Sequence, residues 1–279
     1  MDGIILVDKE KNMTSRDVVN VISKKLGTKK VGHTGTLDPI ATGLMVICVN
    51  KGTKLVELLT DHDKSYIATV KLGLKTDTYD ITGNILEENY DYQIKKEELE
   101  RVLNSFVGKY MQEVPIYSSI KINGKKLYEY ARSNIEVELP KRLVEIYDIK
   151  LLDFNDNQFT FSVSVSKGTY IRSLINDISK KMNILMTMSE LRRTIVGKFN
   201  INNAKKLNDI MKNDILPITE IVDFPVITVD DNLEKKIRNG MQIDDIYNSQ
   251  YVLFVNAKKE PLAIYEKIKN NKLKSYRGF

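Results

Sequence analysis

The stretch of this chain best suited to chemistry is Gly32-His33-Thr34-Gly35-Thr36-Leu37-Asp38-Pro39-Ile40-Ala41-Thr42-Gly43. Three glycines and a proline within twelve residues forbid a regular helix or strand there. Glycines let the backbone approach a ligand closely. The residue before a proline is driven toward extended backbone, which narrows the directions open to the Asp38 carboxylate. A carboxylate fixed in this way can attack an electrophilic carbon or take up a proton. Asp-Pro and Thr-Gly also make ordinary turns, so the loop alone does not establish a site.

Two other chemistries find less support. Gly27-Thr28-Lys29-Lys30-Val31-Gly32-His33-Thr34 has the glycine spacing of a phosphate-binding P-loop, but His33 stands where the lysine belongs and no strand-loop-helix context surrounds it. Two histidines and one cysteine cannot supply the usual zinc set, so no structural zinc and no cofactor are expected; a carboxylate-only magnesium site is left open by that count. Cys48 sits in an apolar run without a partner and reads as core.

The elements that must position Asp38 can be read from hydrophobic period. Ile4 to Val7 is a short buried strand, and Thr14-Ser15 caps a helix carrying Val18, Val19, Ile22 and Leu26, which Gly27 ends. Leu44 to Val49 is a buried strand directly after the loop, Thr53 to Leu59 a short helix, and Tyr66, Ala68, Val70 and Leu72 alternate as one face of another strand. Lys95 to Val107 gives an amphipathic helix stopped by Gly108. Leu143 to Phe154 and Gln158 to Ser166 form a hairpin, and a helix follows with Arg172 in its first turn and Ile171, Leu174, Ile175 and Ile178 on one face. An arginine at a helix start gains nothing from the helix dipole and calls for an acidic partner. Ala204 to Met211 is expected as a last helix, before a segment broken by Pro217 and Pro225.

With 279 residues, 42% hydrophobic and 29% charged, the chain has the composition of a globular protein, and no apolar run reaches membrane-spanning length. A soluble cytoplasmic enzyme is the expectation. The net charge of +6 leans toward polyanionic partners. Lys24, Lys25, Lys29 and Lys30 precede the loop and Lys51 and Lys54 follow it. Residues 109 to 132 interleave five basic residues with Tyr110, Tyr117, Tyr128 and Tyr130, as RNA contact requires: cations for phosphates and rings for unpaired bases.

The loop from His33 to Gly43 resembles the signature of the tRNA pseudouridine-55 synthases, the pseudouridine synthase B (TruB) family. Gly3 to Lys9 with Met13-Thr14-Ser15, Lys64-Ser65-Tyr66, Thr76 to Asp80, Lys125 to Glu129, Ser166 to Arg172 and Leu191-Arg192-Arg193 match family motifs in family order. Glu10 departs from the proline that many members carry after the lysine. The resemblance implies an α+β fold, a mixed and mainly antiparallel sheet with flanking helices over residues 1–225, in which 109–132 is an RNA-clamping insertion. A small β-rich PUA-like RNA-binding domain is expected over 226–279.

The same resemblance makes Asp38 the catalytic carboxylate, attacking the sugar or removing a sugar proton. Arg172 becomes its partner, and Tyr66 the aromatic that stacks on the base. His33 would fill the space left by a flipped uridine, Asp80 would join a polar network, and Leu191 would line the pocket. Lys9, Lys54 and Tyr128 complete the expected substrate contacts. The implied partner is the T-arm of tRNA, with no membrane, no obligatory protein partner and a monomeric enzyme. A guide-RNA-dependent synthase or a non-catalytic tRNA-folding protein are the rival readings.

Overall fold

The structure is a computed structural model and describes residues 2–279. Strand β1 (Gly3–Lys9) leads to helix α1 (Ser15–Leu26), where Thr14 and Asp17 form a reciprocal capping box and Gly27 closes the helix in the left-handed conformation. Strands β2 (Val31–His33) and β3 (Thr42–Val49) flank the Asp38 loop. After a 3-10 turn at Asn50–Leu55 come α2 (Val56–Thr60) and β4 (Lys64–Leu72), then a hairpin of β5 (Leu74–Thr76) and β6 (Ile85–Glu88). Next are α3 (Lys96–Asn104), β7 (Gly108–Glu113), the two-residue strands β8 (Lys121–Ile122) and β9 (Lys125–Lys126), and α4 (Leu127–Arg132). A long hairpin, β10 (Lys141–Asn155) and β11 (Gln158–Val165), precedes α5 (Ile171–Met182) and β12 (Met186–Val196).

The main sheet runs β1-β3-β12-β4-β11-β10-β7. Within that run only β3 and β12 are parallel, joined through Thr42 with Arg192 and Gly43 with Arg193. This short parallel join places β12 beside the exit of the Asp38 loop. One face of the sheet packs on α1, α3 and α5 around Ile5, Val7, Met45, Ile47, Ala68, Val70 and Phe161. The other side chains of β1 and β3, Ile4, Leu6, Leu44, Val46 and Cys48, enter a second cluster on the opposite face. Burial on both faces is why these strands read as unbroken apolar runs rather than alternations.

The second cluster is completed by Leu253, Val255 and Ile264 of a separate five-stranded sheet. Its strands are Val226–Thr228, Tyr251–Val255, Pro261–Ile268, Lys272–Gly278 and Ile243–Asp244 in spatial order, with a helix at Asp231–Arg238. The expected helix at Ala204 to Met211 is absent. Lys205 and Lys206 instead pair in parallel with Val7 and Asp8 at the edge of β1, and Leu207–Asp209 is a 3-10 turn. Edge pairing and the Lys206 to Asp8 ion pair (2.8 Å) outweigh helical spacing there, while Leu207 and Ile210 still reach the core. The β5–β6 hairpin matches no element read from the sequence; its strand Ile85–Glu88 is exposed along its whole length and carries little periodic signal.

Candidate active site

The Asp38 loop is held from three sides by groups that reach its backbone. From the first residue of α1, the Ser15 hydroxyl donates to the Leu37 carbonyl (3.2 Å) and accepts from the Leu37 amide (2.9 Å). At the end of β1 the Lys9 ammonium is wholly buried and donates to the carbonyls of Met13, Glu10 and Pro39 at 2.7, 2.9 and 3.3 Å. From β12 the buried Arg193 guanidinium donates to the carbonyls of Leu44, Gly35 and Thr36 at 2.7, 3.2 and 3.5 Å, gripping both shoulders of the loop. Gly43 has φ +103°, and a Cβ there would stand 2.3 Å from the Arg193 carbonyl, so only glycine allows β12 to approach. Carbonyl oxygens alone surround the Lys9 ammonium, and burial pulls its pKa down to about 8, a shift that nearby Asp38 opposes and Arg193 reinforces.

On this fixed loop the Asp38 carboxylate meets Arg172. The guanidinium engages it through both oxygens, Nε to Oδ2 at 2.9 Å and Nη2 to Oδ1 at 3.2 Å. Side-chain exposure is 6% for Arg172 and 33% for Asp38, so the cation is sealed while the carboxylate keeps an open side toward a ligand. Arg172 also donates to the carbonyls of Thr78 and Tyr117, both at 3.1 Å. One side chain thus ties α5 to the loop, to the β5–β6 turn and to the 109–132 segment. Within that turn Asp80 accepts from Thr78, from the Thr82 amide (2.9 Å) and from the Thr82 hydroxyl (2.5 Å), and Tyr79 takes φ +63°.

Asp38, Tyr66, Asp80, Tyr128, Arg172 and Leu191 line one cleft of about 1100 Å³. Tyr66 on β4 and Leu191 on β12 form an apolar wall; Tyr128 on α4 lies between Lys126 and Arg132, each 5.4 Å from its ring. Six of the nine expected site residues therefore converge. Three do not line the cleft. Lys9 is spent inside the protein on loop carbonyls, as above. Lys54, in the 3-10 turn, donates to the Gly278 carbonyl (2.6 Å) and lies 6.0 Å from the Phe279 ring, tying that turn to the end of the five-stranded sheet. His33 pairs with Ile47 on β3, and partial burial, with Arg193 and Arg16 nearby, lowers its pKa, which favours the neutral ring.

Several residues that build the site carried no role in the sequence reading. Arg193 lay within a recognised motif, but β12 also carries Glu190, Arg192 and Thr194, so nothing local distinguishes it. Lys64, at the start of β4, lines the cleft with its ammonium on the carbonyls of Thr60 and His62; burial, then Arg193, lowers its pKa to about 8. Ser15 was read only as part of a helix cap, because its bond to Leu37 spans 22 residues. Among the described residues no group of three His, Cys, Asp or Glu side chains is placed to hold a metal ion, and no helix is long and apolar enough to cross a membrane.

Residues 23–171 match the family model described as TruB family pseudouridylate synthase, N-terminal domain. The chain is 39% identical to the tRNA pseudouridine synthase B of Mesoplasma florum over 99% of its own length and 97% of that protein's. With the tRNA pseudouridine synthase B of Clostridium tetani identity is 44% over 88% of this chain and 86% of the relative. With that of Fusobacterium nucleatum it is 50% over 72% and 70%. In fold, the chain superposes on a chain of a Cbf5-Nop10-Gar1 complex with a TM-score of 0.74 at 24% identity, covering 99% of this chain and 84% of that one. A second such chain, from an H/ACA RNP bound to a substrate RNA containing 2'-deoxyuridine, gives 0.73 at 24% identity over the same shares. A converging aspartate-arginine site on a mixed sheet and this level of identity lead to one conclusion: the chain belongs to the TruB family of pseudouridylate synthases.

Proposed function

We propose that this protein isomerises a uridine of tRNA, position 55 in the T-loop, to pseudouridine, with Asp38 as the catalytic carboxylate. The observation that carries this reading is the ionic clamp between Asp38 and the sealed Arg172 on a loop whose backbone is itself fixed. The relatives named tRNA pseudouridine synthase B supply the substrate class. The reaction breaks the bond from C1′ of the ribose to N1, turns the uracil in place, joins C1′ to C5, and moves a proton from C5 to N1. Asp38 acts on the sugar as nucleophile or as base, and both roles need the ionised carboxylate that Arg172 holds in direction. Tyr66 and Leu191 give the detached base an apolar wall to turn against.

A uridine in a folded loop must leave its stack to reach Asp38. The basic and aromatic side chains of 109–132 are assigned to hold the RNA around the flipped nucleotide. The C-terminal sheet is assigned a second RNA contact, and the enzyme acts in the cytoplasm on tRNA without a protein partner. Asp38→Asn keeps the size of the side chain and removes its charge. Given an unmodified tRNA transcript, the variant should form essentially no pseudouridine at position 55 under single-turnover conditions while binding the transcript within a few-fold of the parent. Conversion by Asp38→Asn at a rate near the parent's would overturn the assignment.

A further inference from the structure

Six basic side chains line the cleft; four are engaged by hydrogen bonds or ion pairs, and a fifth, the exposed Arg132, has only a ring contact. Arg172 holds Asp38, Arg193 and Lys64 are spent on carbonyls, Lys167 pairs with Asp61 at 2.6 Å, and Arg132 lies over the Tyr128 ring. The side chain of Arg142, on β10, has no hydrogen bond, ion pair or ring contact with any described residue. Its place is nevertheless shaped. The guanidinium lies against Gly168, whose φ is +79° and whose missing Cβ would fall 2.8 Å from Nη1, so the bare backbone of that loop makes room for it. The same loop runs directly into the first turn of α5, which carries Arg172.

We propose that Arg142 binds a backbone phosphate of the RNA strand that crosses the cleft, a contact that rests on the cleft being the RNA site. A half-buried guanidinium with its fork unfilled has five donors to offer, and a phosphodiester is the ligand whose oxygens match that fork in charge and in geometry. A nucleobase edge would need an acceptor pair in one plane and would leave the charge uncompensated. Lys167 is paired with Asp61 at 2.6 Å and offers a point charge without the planar fork. Arg142 therefore positions the strand at the rim while the chemistry proceeds at Asp38.

The test is equilibrium binding of an unmodified tRNA transcript across a salt series for the parent, R142Q, R142K and K141Q. Lys141 is the exposed neighbour that lies outside the cleft and controls for net charge. R142Q should bind roughly tenfold more weakly at low salt, and its plot of log affinity against log salt should be shallower by roughly 0.7–0.9, the slope of one lost phosphate contact. R142K should restore most of the slope but less of the affinity, since it keeps the charge without the fork. The single-turnover rate at saturating tRNA should stay within twofold of the parent's for all three. An R142Q slope equal to the parent's, or a K141Q effect as large as that of R142Q, would overturn the proposal. If the parent formed no pseudouridine, the proposed function would fall, while the slope comparison would still decide whether Arg142 meets an RNA phosphate.

Discussion

Arg172→Lys separates the geometry of the Asp38 clamp from its charge. Arginine makes four contacts here: two to the Asp38 carboxylate at 2.9 and 3.2 Å, one to the Thr78 carbonyl and one to the Tyr117 carbonyl, both at 3.1 Å. Thr78 is served by Nη1 and Tyr117 by Nη2, opposite tips of a planar fork. A lysine nitrogen acts from one point and cannot reach both tips and the carboxylate, so at least one sheltered carbonyl loses its partner. An unsatisfied buried acceptor costs about 1–3 kcal/mol of stability. The carboxylate keeps a counter-charge but loses its second contact and with it a fixed orientation. A displacement on the order of 1 Å at a reacting group is worth ~100-fold in rate, or about 2.7 kcal/mol of barrier. Single-turnover pseudouridine formation with enzyme in excess, tRNA affinity and urea unfolding should be measured on one preparation. The expected result is a rate about 100-fold lower, affinity within a few-fold and stability lower by about 1–3 kcal/mol. A rate within threefold of the parent's would refute the claim that the fork sets the position of Asp38, and a rate loss matched by an equal affinity loss would move Arg172 from chemistry to binding.

The lowered pKa of Lys64 gives a pH signature. Its folded value of about 8 lies below that of an unfolded lysine, so between the two the unfolded chain binds more protons and stability rises with pH; the burden of the buried charge is fully present below about 8 and lifts above it. Urea unfolding at pH 7 and pH 9.5 should show the parent gaining on Lys64→Met as pH rises, and parallel behaviour of the two proteins would contradict the shift. Leu253 is fully buried between the two sheets, and Leu253→Ala should remove about 2–5 kcal/mol from a single unfolding transition that also carries the activity. Two separate transitions, with activity following the unaffected one, would show the units to be independent.

Local signals in the sequence transferred well to the structure. The Thr14 cap, the Gly27 stop and the faces of α1 and α5 were legible because each depends on residues within one or two turns. The β10–β11 hairpin was legible because Asn155 pairs with Gln158 across a two-residue turn. Asp38 and Arg172 were matched through family resemblance, since 134 residues separate them and no local pattern joins them. What failed was also non-local. Nothing near Lys9 announces that its ammonium will be enclosed by carbonyls 1, 4 and 30 residues away, and nothing near Lys205 announces the open edge of β1. Arg193 escaped for the same reason: its contacts to Gly35, Thr36 and Leu44 exist only once β12 lies beside β3.

The two-sided burial of β1 and β3 has a consequence for biosynthesis. Within this sequence β1 and β3 are made well before Leu253, Val255 and Ile264, which together with Leu55, Leu59, Phe199, Ile218 and Ile221 cover their second face. Until that sheet docks, the layer over Ile4, Leu6, Leu44 and Val46 is incomplete, and the strand that follows the Asp38 loop lacks part of its support on that side. Support of the strand next to the Asp38 loop is in this way tied to docking of the five-stranded sheet. A chain interrupted within its final sheet would present a sticky strand pair to the cell's quality control in place of a partly working enzyme.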